Sequence, residues 1–375
     1  MKKLAILNLV LVLSLMLGSV AFAQGEVGAD ANGYFSGGTK NISADVLYEN
    51  LNDGDDSNNP YIIDVRSQED HEKGYIPGAV WMDAKAMFTE DNLAKLPTDQ
   101  QIVVYCYTGQ TASQVVSALN MLGFDAYNLG FGFGSWTMNA EAGSKWFDET
   151  KAGNDFPTTT DPTIMPAIAY PPATPLADTT QAAANAYFSN GVKTIAASDL
   201  FDNLSDGDSS NDPTIVSVRS QEDYNKGHIP GATWLDVKTM FGQDGLVTID
   251  PEKPVVVYCY TGQTASQVTS ALNALGYDAS NLLFGMQAWT MDDDVRVRFF
   301  NPDTHSFGFP FEGTAAGGEA AAEEATTEEA TTEEAAEPVT MPETGGMPIP
   351  VEGVLVGFGA LTAAAGVYLR RRKAA

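Results

Sequence analysis

Apolar residues follow two alternating patterns along the chain. Short β-branched and aromatic runs, typical of buried strands, occupy 61–65, 102–105 and 126–129. Stretches with a helical pattern occupy 43–50, 84–88 and 112–122. Strands that alternate with helices build sheets covered on both faces. The pattern therefore predicts an α/β fold with a mostly parallel sheet flanked by helices.

The pattern occurs twice. Residues 31–157 and 184–310 align without a gap over most of their length, and Cys259 lies 153 residues after Cys106. A period this long indicates two copies of one domain rather than a solenoid. The chain of 375 residues has room for both copies and for terminal appendages.

An identical ten-residue stretch, YCYTGQTASQ, holds the only two cysteines, Cys106 and Cys259. Each cysteine falls between a predicted strand and a predicted helix, at the sheet edge where ligands of parallel sheets bind. Gly109 permits a tight turn whose amides face the sulfur. We expect such a thiol to ionise more readily than a free cysteine, whose pKa is about 8.5. The turn predicts a nucleophilic thiolate or a bound persulfide.

Two other interpretations of the cysteines remain open. They could be buried structural residues, since cysteine packs well in cores. They could also form a disulfide with each other, although equivalent positions in two copies of a domain usually lie too far apart.

Three separated motifs carry a family resemblance. Asp64-Val65-Arg66, then Gly74-x-Ile76-Pro77-Gly78-Ala79, then a Cys-x-x-Gly turn, resemble a rhodanese domain, and the second copy resembles another. The resemblance implies two tandem rhodanese-like domains, 31–157 and 184–310. It implies a cysteine persulfide that takes sulfane sulfur from a donor such as thiosulfate or a persulfide. A thiol or cyanide would accept it, with no cofactor and no metal.

Under this resemblance Cys106 and Cys259 are the catalytic sulfur carriers. The residues that would surround the bound sulfur through their amides are Tyr107, Thr108, Gly109, Gln110 and Thr111 in the first copy and Tyr260, Thr261, Gly262, Gln263 and Thr264 in the second.

The sequence departs from the family in two ways. Many rhodaneses have an arginine five positions after the cysteine, where this chain has Thr111 and Thr264. Neither turn then carries a cation, so thiosulfate is expected to be a poor donor. The second copy also has Ser217 where the first has Asp64, which could pair with a nearby arginine.

Four large side chains are expected to support the fold. We interpret Arg66 and Arg219 as buried, paired groups and Trp136 and Trp289 as core residues. The sequence argues against a cysteine phosphatase, which needs an arginine six positions after the cysteine to bind phosphate, because alanine stands at both of those positions.

The remaining segments indicate export. The chain carries a formal net charge of −29, which argues against nucleic acid as a partner. Residues 1–23 have the parts of a secretory signal peptide, and an uncleaved membrane anchor is the alternative. A Pro/Thr-rich linker is predicted at 158–183 and an acidic Ala/Thr/Glu stalk at 313–340.

The C-terminal segment, 341–375, resembles a sortase cell-wall sorting signal. Met341-Pro342-Glu343-Thr344-Gly345 precedes an apolar run at 351–369 and a basic cluster. The resemblance implies that sortase joins Thr344 to the wall. A retained transmembrane anchor is the alternative, because the run is close to the ~20 residues that a span needs. Both place the repeats outside the cell and suggest a second function class, a surface binding protein that keeps the fold without turnover.

Overall fold

Each repeat forms one five-stranded sheet in the computed structural model, which describes residues 25–163 and 169–316. The strands are β1 (Asn41–Ile42), β2 (Tyr61–Asp64), β3 (Val80–Trp81), β4 (Ile102–Tyr105), β5 (Ala126–Leu129), β6 (Thr194–Ile195), β7 (Thr214–Ser217), β8 (Thr233–Trp234), β9 (Val255–Tyr258) and β10 (Ala279–Leu282). Their spatial orders are β1-β5-β4-β2-β3 and β6-β10-β9-β7-β8. All neighbouring pairs are parallel.

Helices connect the strands and cover the sheets. In the first repeat they are α1 (Gly25–Ser36), α2 (Ala44–Asn52), α3 (Gln68–Lys73), α4 (Glu90–Leu93), α5 (Gln110–Met121), α6 (Phe133–Trp136) and α7 (Glu149–Ala152). In the second they are α8 (Thr180–Phe188), α9 (Ala197–Ser205), α10 (Gln221–Lys226), α11 (Gln243–Leu246), α12 (Gln263–Ala274), α13 (Met286–Trp289), α14 (Asp293–Arg296) and α15 (Pro302–His305). The predicted α/β fold with two flanked parallel sheets is confirmed.

One predicted helix is wrong. Residues 84–88 form consecutive turns, and α4 begins only after them. Side chains compete here with helical hydrogen bonding: Asp83 accepts from the Lys85 amide at 3.0 Å, and Asn92 donates to the Ala86 carbonyl at 2.8 Å. Short polar side chains of this kind favour turns over helix.

The central strands β4 and β9 place the cysteines. All four residues of each are buried, as expected for strands covered on both faces. Cys106 and Cys259 come directly after them, at the carboxyl edge of each sheet.

The repeats exchange their first helices. Val27, Ala31 and Phe35 of α1 belong to the apolar core around Cys259, and Phe35 stacks on Phe241 with ring centroids 4.3 Å apart. In turn, α8 covers the first sheet, where Phe188 packs 4.5 Å from Phe88. The first helix of each repeat thus completes the core of the other.

The segments after each sheet are exchanged as well. Phe156 stacks on Phe201 of α9 with ring centroids 4.1 Å apart, and the Pro157 carbonyl accepts a hydrogen bond from the Trp289 ring nitrogen. The equivalent residue after the second sheet, Phe309, stacks on Tyr48 of the first repeat with ring centroids 4.0 Å apart. Each sheet is therefore enclosed by both ends of the opposite repeat.

The predicted linker is anchored to the second repeat. The Tyr170 amide donates to the Val247 carbonyl at 2.8 Å, the Leu176 amide donates to the Ala274 carbonyl at 3.0 Å, and α8 begins inside the range predicted as linker. At the start of the range predicted as stalk, the Thr314 and Ala315 amides donate hydrogen bonds to the Glu72 and Lys73 carbonyls.

The predicted signal peptide and sorting segment lie outside the described residues. Within 25–163 and 169–316, no helix is long and apolar enough to cross a bilayer.

Cutting the chain between the repeats should leave the halves together. In this test, a protease site is inserted after Thr163 and cleaved in the folded protein. The two fragments should co-elute in size-exclusion chromatography because each repeat packs against both ends of the other. Fragments that separate without denaturant would contradict the exchanged packing.

Candidate active site

Each cysteine sits in a turn closed by a glycine. Gly109 and Gly262 have φ values of 81° and 83°, in the left-handed region that favours glycine. The helices α5 and α12 begin at the next residue. Cys106 and Cys259 are buried and free, and the predicted position at a strand-to-helix turn is confirmed.

Four backbone amides point at the Cys106 sulfur. They belong to Thr108, Gly109, Thr111 and Ala112. The cradle therefore extends one residue beyond the predicted turn, because Ala112 lies in the first turn of α5, where amides lack helical partners. Amides that converge in this way favour a negative charge on or beside the sulfur.

The expected lowering of the thiol pKa is wrong for Cys106. Burial raises the pKa of this thiol above its ordinary value, and the hydrogen bonds from the four amides offset that effect only in part. Burial penalises the charged form of any acid. The resting thiol is therefore protonated at neutral pH.

The residues that follow β5 form hydrogen bonds with the backbone of the Cys106 turn. The Phe133 amide donates to the Cys106 carbonyl at 2.8 Å, and the Gly134 amide donates to the Tyr107 carbonyl at 3.1 Å. Gly132 has φ 62°, and a Cβ there would collide with the Cys106 carbonyl. Met286 and Gln287 make the same two bonds to the second turn.

The tyrosine after each cysteine is tied to α3 or α10. The Tyr107 hydroxyl donates to Asp70 at 2.6 Å, and the Tyr260 hydroxyl donates to Asp223 at 2.6 Å. Partial burial acts to raise the pKa of Asp223, but hydrogen bonds from Lys226, Tyr260 and Ser220 lower it to about 2. Both carboxylates are thus charged and accept at neutral pH.

A cation lies over each of these tyrosines. Lys145 Nζ is 3.9 Å from the Tyr107 ring centroid, and Arg298 Cζ is 4.8 Å from that of Tyr260. Lys145 also pairs with Asp70 at 3.5 Å. Within the described residues, Arg298 forms no ion pair. The turns themselves lack a cation, as the sequence shows, but one is supplied beside each turn.

The threonines of the two turns line the same small cavity. Thr108 and Thr261 line it together with aromatic side chains from both repeats, namely Phe131, Trp146, Phe147, Phe284 and Phe300. The two turns therefore face a common apolar space. The side chains of Gln110 and Gln263 each donate from Nε2 to the threonine of their own turn. Their Oε1 atoms accept hydrogen bonds from the opposite repeat.

The buried arginines Arg66 and Arg219 differ in their partners. Arg66 is buried and binds Asp64 at 2.7 Å, and His71 contacts the same carboxylate at 3.0 Å. Burial acts to raise the pKa of Asp64, but bonds from His71 and Arg66 hold it below its ordinary value. The first copy thus has the predicted buried pair.

The second copy keeps the arginine without the carboxylate. Arg219 donates to the Val295 and Gly227 carbonyls, as Arg66 does to those of Ala142 and Gly74. Within the described residues, however, Arg219 Nε and Ser217 Oγ have no hydrogen-bond partner. The serine leaves a buried guanidinium less well paired.

The two tryptophans are core residues, as predicted. Trp136 and Trp289 are each 1% exposed. Their ring nitrogens donate to the Pro310 and Pro157 carbonyls of the exchanged segments. Each tryptophan therefore joins its sheet to the opposite repeat.

Comparison with known proteins identifies one family. The profile of the family described as Rhodanese-like domain matches residues 43–139 and 197–292, together more than half of the chain. Thiosulfate sulfurtransferase GlpE of Coxiella burnetii is 34% identical over 79 residues, which cover 21% of this chain and 72% of that protein. A tRNA sulfurtransferase of Pyrobaculum aerophilum is 38% identical over 71 residues, covering 18% and 14%.

Similar proteins are also found among solved structures. A rhodanese-like domain protein from Staphylococcus aureus is 29% identical and covers 25% of this chain and 88% of that one, with a TM-score of 0.23. A score this low adds no structural argument.

The two arginine sites predict opposite effects of exchanging their partners. Asp64→Ser should lower the free energy of unfolding by about 3 kcal/mol at neutral pH, since it leaves a buried charge unpaired. Ser217→Asp should raise the melting temperature. Because the folded pKa of Asp64 is lowered, its contribution is present above the unfolded pKa of about 3.9. The cost of Asp64→Ser should therefore shrink as the pH falls below 4.

Urea unfolding of the two variants at pH 7 and pH 3 measures both effects. Equal stability of the wild type and Asp64→Ser at pH 7 would contradict the role given to this pair.

Proposed function

Because the chain belongs to the rhodanese-like domain family, we propose that it is a sulfurtransferase in which Cys106 and Cys259 carry sulfane sulfur as persulfides. The observation that supports this most directly is the cradle of four amides around the buried Cys106 sulfur. Such a cradle adds little to a structural thiol but stabilises an anionic sulfur bound there. The same turn, glycine and helix start recur at Cys259.

The reaction has two displacement steps. The Cys106 thiol loses its proton to solvent, and the thiolate attacks the outer sulfur of the donor. With thiosulfate, the S–S bond of the donor breaks, sulfite leaves, and Cys106 keeps the sulfur as an anionic persulfide. An acceptor thiolate or cyanide then attacks the outer sulfur, takes it as a persulfide or thiocyanate, and releases the cysteine thiolate.

The cradle is better suited to the persulfide than to the resting thiol. Burial disfavours a charge on Cys106 itself, whereas a persulfide is the stronger acid and places its charge one atom farther out. The amides of Thr108, Gly109, Thr111 and Ala112 are fixed by the turn and by α5, so they need no rearrangement to receive that charge.

Donor charge should distinguish the two turns. Lys145 is partly neutralised by Asp70, whereas Arg298 has no ion pair within the described residues. We therefore propose that the second turn accepts anionic donors such as thiosulfate better than the first. The strongly acidic chain repels such donors from both turns, which favours donors of lower charge, such as organic persulfides, overall.

Weighing the protein after exposure to a donor tests the proposal. After incubation with thiosulfate or an organic persulfide, the intact protein should gain one sulfur atom per cysteine, and the gain should vanish on addition of cyanide or a dithiol. Cys106→Ser and Cys259→Ser should each remove one sulfur. In the single-cysteine variants, thiosulfate should load Cys259 faster than Cys106, and Arg298→Ala should remove that difference.

A surface binding protein without turnover is the alternative function. The absence of a cation within either turn favours it. No mass gain with any donor, in a protein that is folded, would support the alternative and reject sulfur transfer. Turnover with kcat on the order of 1 per second, typical of enzymes, would reject the alternative.

We further propose that the protein is exported and held at the cell surface by its C-terminus. The sequence of residues 1–23 and 341–375, which lie outside the described residues, supports this. A proline, glutamate, threonine and glycine in succession before an apolar run favour sortase processing at Thr344 over a plain membrane anchor.

The C-terminal peptide of the protein isolated from cells decides between the two anchors. Sortase processing predicts that mass spectrometry finds Thr344 linked to a wall fragment and that release requires digestion of the wall. An intact Thr344-Gly345 bond, with release by detergent alone, would reject processing.

A further inference from the structure

The two cysteine turns are connected to each other through buried glutamines. Gln263 Oε1 accepts hydrogen bonds from Asn128 Nδ2 at 2.9 Å and from the Phe131 amide at 3.0 Å. Gln110 Oε1 accepts from Asn281 Nδ2 at 2.9 Å and from the Phe284 amide at 3.0 Å. These are equivalent contacts in the two directions. Each glutamine is the first residue of the helix that follows one cysteine turn and bonds to the other repeat.

The backbone held by each glutamine is strained. Phe131 and Phe284 have φ values of 60° and 61°, in a region that side chains with Cβ rarely adopt. Residues in such conformations persist only where the surroundings fix them, and they concentrate at functional sites. The bond from the Phe131 amide to Gln263 fixes this conformation from outside the first repeat.

The strained residue leads directly to the cysteine. Phe131 is followed by Gly132 and Phe133, and the Phe133 amide donates to the Cys106 carbonyl. Gln263 also packs against the turn itself, because a Cβ on Gly109 would lie 2.7 Å from Gln263 Oε1. The glutamine thus contacts the Cys106 turn at its glycine and supports it through the Phe131 backbone.

The orientation of the glutamine is set by its own turn. Gln263 Nε2 donates to Thr261 Oγ1 at 3.2 Å, which directs the oxygen toward the opposite repeat. The Phe131 amide can only donate, so the assignment of the oxygen follows from the contact. Gln110 is oriented in the same way by Thr108 at 3.3 Å.

We propose that Gln263 positions the Cys106 turn and that Gln110 positions the Cys259 turn, so that each reactive sulfur depends on a residue of the other repeat. The inference rests on the proposed function in taking the two cysteines as the reactive groups. Gln263 contacts the turn and its supporting backbone and acts on the sulfur only through them. It is a positioning residue.

The experiment follows the reactivity of Cys106 alone. The rate at which iodoacetamide alkylates Cys106 is measured against pH in three full-length proteins. All three carry Cys259→Ser, and they have Gln263 unchanged, Gln263→Leu or Gln263→Glu. Leucine fills similar space without an acceptor, whereas glutamate keeps an acceptor oxygen at the same place. Ser270→Ala is the matched control, since Ser270 contacts Ser117 between the same two helices but touches neither turn.

Loss of the acceptor should loosen the turn and expose the buried thiol. Gln263→Leu should therefore speed alkylation of Cys106 several-fold at fixed pH and shift the midpoint of the pH profile downward, toward that of a free cysteine. Gln263→Glu should restore the midpoint, and Ser270→Ala should leave it unchanged. In Cys106→Ser protein, Gln110→Leu should likewise speed alkylation of Cys259 several-fold at fixed pH, and Gln110→Glu should restore the rate.

Several outcomes would overturn the proposal. An unchanged midpoint in Gln263→Leu excludes positioning, and an equal shift in Ser270→Ala shows that any loosening of the interface suffices. If Gln263→Leu does not fold, Asn128→Ala removes one of the two donors and gives the same readout. Alkylation requires no sulfur donor, so a shifted midpoint in a protein that gains no sulfur would keep this inference and reject the proposed function.

Discussion

The packing of α5 against α12 is the contact on which the rest of the structure depends. Each helix begins at a cysteine turn, so the same residues close the candidate site and join the repeats. The centre of the interface is formed by short polar side chains, where Ser117 meets Ser270. Short side chains allow the helices to approach closely, and the longer Gln110 and Gln263 at their first turns then reach across. The candidate sites and the interface are therefore parts of one arrangement.

Much of the fold could be predicted from the sequence, because its central elements follow simple periods. The last strand of the first repeat, β5, has the predicted bounds, and the cysteine turn was marked by a glycine between an apolar run and a helical pattern. The prediction failed at 84–88 because the Asp83 side chain accepts from the backbone and the Asn92 side chain donates to it, and these hydrogen bonds override a helix-compatible pattern. Such local competition is not visible in hydrophobic periodicity.

The exchange between repeats could not be predicted for a different reason. Phe35 and Phe188 are equivalent residues in nearly identical surroundings, so either could cover either sheet with the same apolar contacts. The hydrophobic pattern indicates that one face of each helix is buried, but it does not indicate which of the two repeats buries it. The cations Lys145 and Arg298 were missed because they follow the cysteines by a long stretch of chain and reach the tyrosines only in the fold. Ser217 is visible in the sequence, but the lack of a partner for Arg219 Nε within the described residues follows only from the fold.

The exchanged ends reverse the usual relation between position in the chain and position in the fold. Trimming the chain from its N-terminus through α1 would remove Val27, Ala31 and Phe35 from the core that contains Cys259, and would leave the core of Cys106 covered by α8. Trimming from the other end through Phe309 would uncover the first sheet instead. Truncation at one terminus therefore first disrupts the core around the cysteine that is farther away in sequence. Each terminus is needed for the stability of the opposite repeat.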